Sequence, residues 1–410
     1  MMLFLNEIRL RSFIPVNILK RCVSNVKHET VANETSHNPF SKEHMKAWVV
    51  PSFGNLDRLQ LSCTVPVPVI RSHKDVIVKV KASSVNPIDV EMVGGYGNTL
   101  LSAWRQMNSY LCMDDSQSQN QLITGRDFVG EVIAKGSGVR PDINVGDLVY
   151  GMVQAHQQGC HSELVLTSDF FVRPVPNKID LYEAAAIFYC GLTAWSALCI
   201  TGDLLWTKKE GKKALIIGGS GGVGTIAIQL LKAWNMEVVT TCRSDAIPML
   251  LQLGPDNIID YTAPDAMKLI ENSGKYDIIL DAAGNITHYT YIPFLKDWAN
   301  SKYVTLRSPL LKNTDKYGLV AGMIKNASEL LRSNIVSGAP SRGSSVRWAF
   351  ILPVETGINE IHKLFSENKI KPIINEVIPF MELPRAFEKV QAGHNRGKVV
   401  ITMEDSAPKK

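Results

Sequence analysis

The segment Ala214-Leu-Ile-Ile-Gly-Gly-Ser-Gly-Gly-Val-Gly-Thr-Ile-Ala-Ile-Gln229 decides the fold of this chain. Its apolar start, 214–218, predicts a buried strand, and the residues after the glycines predict a helix. Between them, Gly219, Gly221 and Gly224 satisfy G-x-G-x-x-G, in which glycine allows a tight turn and lets a pyrophosphate approach the main chain. Free amides and the positive dipole end at the helix start hold the phosphates. A strand before and a helix after the turn therefore predict dinucleotide binding rather than an ordinary glycine turn.

The end of the next predicted strand, 237–241, indicates which dinucleotide binds. NAD-binding folds place an acid there to hold the ribose hydroxyls, whereas NADP-binding folds place an arginine nearby. Here Arg243 and Ser244 follow the strand, and Glu237 lies at its start, too early to reach the ribose. Arg243 predicts NADPH, because a guanidinium forms charge-assisted hydrogen bonds with a 2′-phosphate. The alternative is that Arg243 is a solvated loop residue.

The rest of the chain divides by its periodicity into three parts. The first, 44–182, contains short β-rich runs broken by turns, which predict an all-β module. The second, 183–351, alternates helices and strands, which predicts a parallel sheet covered on both faces. The third, 352–410, resembles the first module in style, so we expect the chain to return there. A polar segment at 98–121 fits no strand and is predicted to be a surface insertion.

Composition limits the class of protein. The chain has 410 residues, of which 45% are hydrophobic, enough for two or more domains. No stretch approaches the roughly 18 to 20 consecutive apolar residues that cross a bilayer, which predicts a soluble protein. The net charge of +5 is small, and the basic residues are scattered except in the first segment, so nucleic-acid binding is not expected. The seven cysteines contain no C-x-x-C pair, which favours a reduced compartment over a disulfide framework.

The first residues differ from the rest in charge. Residues 1–27 carry five basic side chains against one acid, Glu7, with Leu, Ile, Phe and Val between them. This composition is typical of a mitochondrial transit peptide, and the alternative is an ordinary disordered tail. Residues 28–43 are mainly polar and are predicted to be a linker. The sequence therefore predicts a mitochondrial protein, with the matrix as the expected compartment.

Several motifs along the chain carry a family resemblance. They are Ala82-Ser-Ser-Val-Asn-Pro-Ile-Asp89, Gly125-Arg-Asp-Phe-Val-Gly-Glu-Val132, Val145-Gly-Asp-Leu-Val149, Leu192-Thr-Ala-Trp195, the glycine turn and Gly393-His-Asn-Arg-Gly-Lys-Val-Val400. With them the chain resembles the medium-chain dehydrogenase/reductase superfamily, and within it the quinone reductase branch and its mitochondrial, reticulon-interacting members. The resemblance implies an α/β fold made of a GroES-like β domain and a Rossmann doubly wound parallel-sheet domain. It also implies NADPH as cofactor, a role in mitochondrial ubiquinone synthesis, reticulon-type or ubiquinone-synthesis protein partners, and a homodimer.

The same resemblance implies which residues bind the cofactor. They are Ser220, Gly221, Gly222, Val223, Gly224, Arg243, Tyr261, Gly284, Phe350, His394, Arg396 and Lys398. Within this set, Arg243, Tyr261 and Arg396 are expected to surround the 2′-phosphate. Structural alternatives exist, because Tyr261 can simply cap a sheet, Phe350 can belong to the core and Lys398 can open a strand.

Metal ligands are missing from the places where the resemblance would put them. Zinc alcohol dehydrogenases of this superfamily use Cys and His where this chain has Asn86 and Arg126. Cys160 and His161 form the only adjacent Cys/His pair and lack a third ligand, so we predict no metal. The acceptor must then be activated by hydrogen bonds, and Asn86 and Tyr96 are the candidate donors. Their alternative role is turn chemistry in Asn-Pro and in a glycine loop.

The function predicted from the sequence is hydride transfer from NADPH to a quinone or a conjugated carbonyl, without zinc. Such acceptors delocalise the developing negative charge, so positioning and a nearby proton donor are sufficient. Two alternatives share the same features. One is an enoyl thioester reductase, and the other is an NADPH-binding assembly or scaffold protein with little turnover.

Overall fold

The computed structural model describes residues 43–112, 121–284 and 288–404. The predicted transit peptide, 1–27, lies outside the described residues. The strands are β1 His44–Val50, β2 Gln60–Pro66, β3 Asp75–Val85, β4 Leu122–Ile123, β5 Asp127–Lys135, β6 Leu148–Met152, β7 Leu164–Ser168, β8 Val172–Pro174, β9 Lys213–Ile217, β10 Glu237–Cys242, β11 Asn257–Asp260, β12 Ile278–Asp281, β13 Lys302–Thr305, β14 Ser345–Trp348, β15 Ile374–Pro379 and β16 Lys398–Thr402. The α-helices are α1 Pro87–Val93, α2 Asn98–Cys112, α3 Leu181–Trp195, α4 Gly222–Ala233, α5 Ile247–Leu251, α6 Ala266–Asn272, α7 Leu310–Tyr317, α8 Leu319–Ser337, α9 Glu355–Ser366 and α10 Leu383–Ala392.

A parallel sheet contains the glycine motif. Its six strands have the order β11-β10-β9-β12-β13-β14, and every neighbouring pair is parallel. The order runs in opposite directions on the two sides of β9 and β12, so the switch point of the sheet lies between these strands. All four residues of β12 are buried, as expected for a strand covered on both faces. This sheet confirms the predicted doubly wound part of the fold.

A second, mostly antiparallel sheet forms the β-rich part. Its main path is β15-β16-β3-β5-β6-β8, and β7 also pairs with β3. Strand β16 lies antiparallel beside β3, so residues 398–402 join a sheet begun more than three hundred residues earlier. A small sheet of order β2-β1-β4 lies in the same part of the chain. The large antiparallel sheet and the parallel sheet together confirm the predicted α/β class.

Helix α3 packs in a core that both large sheets share. Val129 and Tyr150 of the antiparallel sheet and Ala214 and Ile216 of the parallel sheet are buried in the same apolar cluster as α3. The continuous helical segment Leu181–Thr201 is long and apolar enough to cross a membrane by length and composition. The sequence predicted no such segment, because polar residues interrupt its apolar run. Within an apolar stretch of 18 residues of this segment, 78% is buried inside the protein, so the segment is a core helix here.

Some elements differ from the prediction. The start of the predicted insertion, 98–121, forms helix α2, and residues 113–120 lie outside the described part of the chain. Helix α8 was not predicted, because it packs through Gly322 and Asn326 rather than through an apolar face. Its outward side carries apolar residues instead, which are between 62% and 74% exposed: Val320, Ile324, Leu331 and Ile335.

Candidate cofactor and substrate site

The carboxyl ends of the parallel strands bring many of the predicted cofactor residues to one edge of the sheet. Because all six strands run in the same direction, the residues that follow them lie at that edge, where open α/β sheets bind ligands. The residues there are Ser220 to Gly224 after β9, Arg243 after β10, Tyr261 after β11, Gly284 after β12 and Phe350 after β14. The glycine turn and Gly284 follow β9 and β12, the two strands at the switch point.

The geometry of the turn fits a bound pyrophosphate. A Cβ on Gly219 would lie 1.9 Å from the Thr240 hydroxyl, and one on Gly224 would lie 2.2 Å from the carbonyl oxygen of Gly218, so both positions require glycine. A Cβ on Gly221 would meet only that carbonyl oxygen, at 3.7 Å, and otherwise open space. Helix α4 begins directly after it, with first-turn amides that lack partners within the helix. The turn therefore leaves room for a phosphate beside hydrogen-bond donors.

Two guanidinium groups meet beside this turn. Arg396 donates to Asp245 at 2.8 Å and lies 3.4 Å from the Ser220 hydroxyl, while Nε of Arg243 lies 3.8 Å from Asp245. The hydrogen bond from Arg396 lowers the pKa of the Asp245 carboxyl. Asp245 was not singled out from the sequence, although an acid three residues after β10 is a visible signal. Tyr261 lies alongside, since its amide donates to the carbonyl of Cys242 at 3.0 Å.

The segment Gly393–Lys398 returns to the glycine turn. The Gly397 amide donates to the Ser220 carbonyl at 2.9 Å, and the Lys398 side chain packs so closely that a Cβ on Gly222 would lie 2.9 Å from its Cδ. His394 is exposed and has a left-handed backbone, with φ of 58°. Lys398 is buried, so Gly397 and Lys398 pack directly beside the turn.

A buried carboxylate, Asp127, joins Lys398 to Asn86. The Lys398 ammonium donates to the side-chain oxygen Oδ1 of Asn86 and lies 3.3 Å from Asp127. The side-chain nitrogen Nδ2 of Asn86 donates to the same carboxylate at 3.0 Å. The Ser84 hydroxyl and the Tyr189 amide also donate to Asp127, at 2.8 Å and 2.5 Å. The side chain of Asn86 is thereby held in one orientation, with one N–H left for another acceptor. Sequence reasoning missed Asp127, whose signal is an acid at the start of an apolar strand.

Tyr96, the second candidate donor, lies in the glycine loop between α1 and α2 and is partly buried. Burial, together with the carboxylates of Glu91 and Asp315, raises the pKa of Tyr96 to about 12. The phenol is therefore protonated at neutral pH and able to donate a hydrogen bond.

The residues at the expected zinc positions do not fit that metal. Arg126 is completely buried and donates to the carbonyl oxygens of Gln154 and Gln157, at 2.6 Å and 3.1 Å. Burial lowers the pKa of His161 to about 4, and its ring contacts the Thr124 hydroxyl at 2.9 Å. Across the described ranges, no group of three or more His, Cys, Asp or Glu side chains is arranged to hold a metal ion.

Comparisons with known proteins agree with this architecture. Residues 72–176 match the alcohol dehydrogenase GroES-like domain, and residues 253–401 match the zinc-binding dehydrogenase family. The chain is 39% identical over 379 residues to the mitochondrial NAD(P)H oxidoreductase RTN4IP1 of Drosophila melanogaster, covering 89% of this chain and 88% of the relative. It is 34% identical to the mitochondrial reticulon-4-interacting protein 1 of Caenorhabditis elegans, covering 87% and 94% of the two chains. A solved quinone oxidoreductase from Coxiella burnetii is 27% identical with a TM-score of 0.69, covering 88% of this chain and all of that one.

The two sheets and the glycine turn between them define a medium-chain dehydrogenase/reductase. Within that superfamily, the chain belongs to the family of the mitochondrial NAD(P)H oxidoreductase RTN4IP1. It is accordingly an oxidoreductase that uses a nicotinamide cofactor.

Proposed function

We propose that this enzyme oxidises NADPH and reduces a quinone or a conjugated carbonyl without a metal ion. The observation that carries the proposal is the position of Lys398. Its stem packs on Gly222 of the glycine turn, and its ammonium reaches Asn86 and Asp127, at the ends of β3 and β5 in the antiparallel sheet. One buried side chain therefore connects the phosphate-binding turn with the candidate hydrogen-bond donor for the acceptor.

Each group of residues has a distinct task in this proposal. Bound at the strand ends, the cofactor supplies the hydride. The first-turn amides of α4 hold its pyrophosphate, and Arg243 and Arg396 bind the 2′-phosphate in place of Asp245. The Asn86 amide and the Tyr96 hydroxyl donate hydrogen bonds to the acceptor oxygen. Quinones suit this arrangement because they delocalise the charge that a zinc ion would otherwise stabilise.

The cellular setting is also part of the proposal. The names of the relatives include the word mitochondrial, and the basic, acid-poor composition of residues 1–27 supports the same location for this chain. We place the enzyme in the matrix, in support of ubiquinone synthesis and respiration, as a homodimer. We also propose a reticulon-type protein partner, which the name of the nematode relative supports.

The test is a titration of the purified protein with NADPH and NADH, followed by turnover with a water-soluble ubiquinone analogue and with a crotonyl thioester. We expect tighter binding of NADPH, oxidation by the quinone, and a Kd for NADPH that rises at least about tenfold in Arg243→Ala. Arg342→Ala is the matched control, because Arg342 pairs with Asp297 at 2.7 Å instead. Preference for NADH would contradict the assignment of Arg243, and reduction of the thioester alone would make the protein an enoyl reductase.

The exposed apolar side of α8 favours a second candidate function. Large exposed apolar patches often mark protein interaction sites, so a cofactor-gated partner protein with little turnover is the alternative. Tight NADPH binding without turnover of any acceptor would support it. In that case Arg243→Ala should weaken capture of the partner as much as it weakens cofactor binding, and full capture by this variant would exclude the alternative.

A further inference from the structure

Helix α2 begins without a cap of its own. The residue before it is Gly97, which has no side chain to accept a hydrogen bond from the first amides of the helix. The Asp315 carboxylate, which lies 218 residues further along the chain on α7, takes this place. It accepts hydrogen bonds from the Gly97 amide at 2.6 Å and from the Thr99 amide at 2.9 Å. The negative charge also lies at the positive end of the α2 dipole.

This contact joins the two halves of the protein beside the loop that carries Tyr96. Helix α2 follows the first strands of the β-rich part, whereas α7 and α8 lie between β13 and β14 of the parallel sheet. Gly97 allows the approach, because its φ is 78° and an added Cβ would lie 3.2 Å from the Leu311 side chain of α7. At the cofactor end, the halves meet again where Gly397 donates to Ser220.

We propose, on the basis of the proposed function, that Asp315 is a positioning residue that clamps the loop carrying Tyr96 over the electron acceptor. Tyr96 directly precedes the clamped amide of Gly97, so the clamp limits where its hydroxyl lies. The side chain of Asp315 need not touch the acceptor for this purpose. By fixing a hydrogen-bond donor before the acceptor arrives, it lowers the reorganisation needed for hydride transfer.

The electrostatics of the loop are consistent with the clamp. The titratable groups that face Tyr96 are Glu91 of α1, Asp315 of α7 and Tyr189 of α3. The Asp315 charge is one of the causes that raise the pKa of Tyr96, after burial and Glu91. Neutralising Asp315 should therefore lower the pKa of Tyr96 as well as loosen its loop.

The experiment compares Asp315→Ala and Asp315→Asn with Lys316→Ala, an exposed neighbour on the same helix, each with and without Tyr96→Phe. In Asp315→Ala we expect kcat/KM for the quinone to fall about tenfold while the Kd for NADPH changes less than about twofold. The loss should shrink to less than about twofold in the Tyr96→Phe background, because both residues act through one hydroxyl. In Asp315→Asn, the alkaline limb of the kcat/KM profile should move to lower pH. Unchanged kcat/KM in Asp315→Ala, or an equal loss in both backgrounds, would overturn the proposal.

Hydrogen–deuterium exchange separates this inference from the proposed function. Peptides that cover residues 94–105 should exchange faster in Asp315→Ala than in the wild type, whether or not the protein reduces a quinone. Faster exchange in a protein that reduces no acceptor would reject the quinone reductase and keep the clamp. Unchanged exchange would overturn the clamp, even in an active enzyme.

Discussion

Asp245 controls how much of the charge on Arg243 and Arg396 is free to bind a ligand. Asp245 pairs with Arg396 at 2.8 Å, and Arg243 lies 3.8 Å away. A 2′-phosphate would compete with this carboxylate for both guanidiniums, whereas a ribose hydroxyl would use the carboxylate as its acceptor. The same residue therefore opposes NADPH and favours NADH, and its substitution distinguishes the two cofactors.

We expect Asp245→Asn to tighten NADPH binding by about threefold, because the guanidiniums lose a competing partner and the phosphate loses a repelling charge. Fluorescence titration at low salt measures the effect. Asp297→Asn is the control, since it removes a charge that pairs with Arg342 instead. If Asp245→Asn weakens NADH and leaves NADPH unchanged, Asp245 holds the ribose and the enzyme prefers NADH.

In the strand–turn–helix element formed by β9 and α4, Gly221 and Gly224 are glycines for different physical reasons. Gly224 is needed for folding, because a Cβ there would collide with the Gly218 carbonyl at 2.2 Å where α4 packs against the turn. Gly221 has an extended backbone, with φ of −79°, and open space around the missing side chain. A Cβ at Gly221 would therefore occupy the space of a phosphate without disturbing the fold.

The pair Gly221→Ala and Gly224→Ala tests this distinction. Gly221→Ala should keep its urea unfolding midpoint while its Kd for NADPH rises at least about tenfold. Gly224→Ala should lose about 1–3 kcal/mol of unfolding free energy, as overpacked positions do, and bind the cofactor poorly for that reason. Equal unfolding midpoints of the two variants would show that the close contact at Gly224 relaxes freely.

The elements that could be predicted from the sequence are those in which the apolar residues are also the buried ones. Strand β9 and helix α4 are apolar where they pack, and α10 was predicted with its observed bounds, 383–392. Helix α8 follows the opposite rule: its inward side carries Gly322 and Asn326, and its apolar residues face outward. An apolar pattern alone does not show which side of a helix is covered.

The candidate site was predictable only where it is local in sequence. The glycine turn and Arg243 follow one another within a single β-α-β unit, so spacing was sufficient to find them. Asp127 and Asp315 act through partners that are far away along the chain, at Lys398 and Gly97. Their chemistry depends on the fold that brings the partners together. An acid at the start of strand β5 is visible in the sequence, but the partners of Asp127 and Asp315 are not.

For the whole molecule, the question is whether its two halves unfold together. Both large sheets contribute to one apolar cluster around α3, and the halves also meet at Gly397 and at Asp315. The proposed cofactor site draws on both, since the glycine turn belongs to the parallel sheet and Lys398 begins β16 of the other sheet. A bound cofactor would therefore stabilise both halves at once.

We expect a single thermal transition whose midpoint rises by several degrees when NADPH binds. NADPH at a concentration of about 100 times its Kd stabilises the native state by about 2.7 kcal/mol. Differential scanning calorimetry, with fluorescence of the core tryptophan Trp195 as a second probe, should report coincident midpoints. The same concentration of NADH, and NADPH added to Arg243→Ala, are the controls and should produce smaller shifts. Two transitions, of which NADPH moves only one, would mean that the shared core around α3 does not couple the sheets and that Lys398 contributes little to cofactor binding.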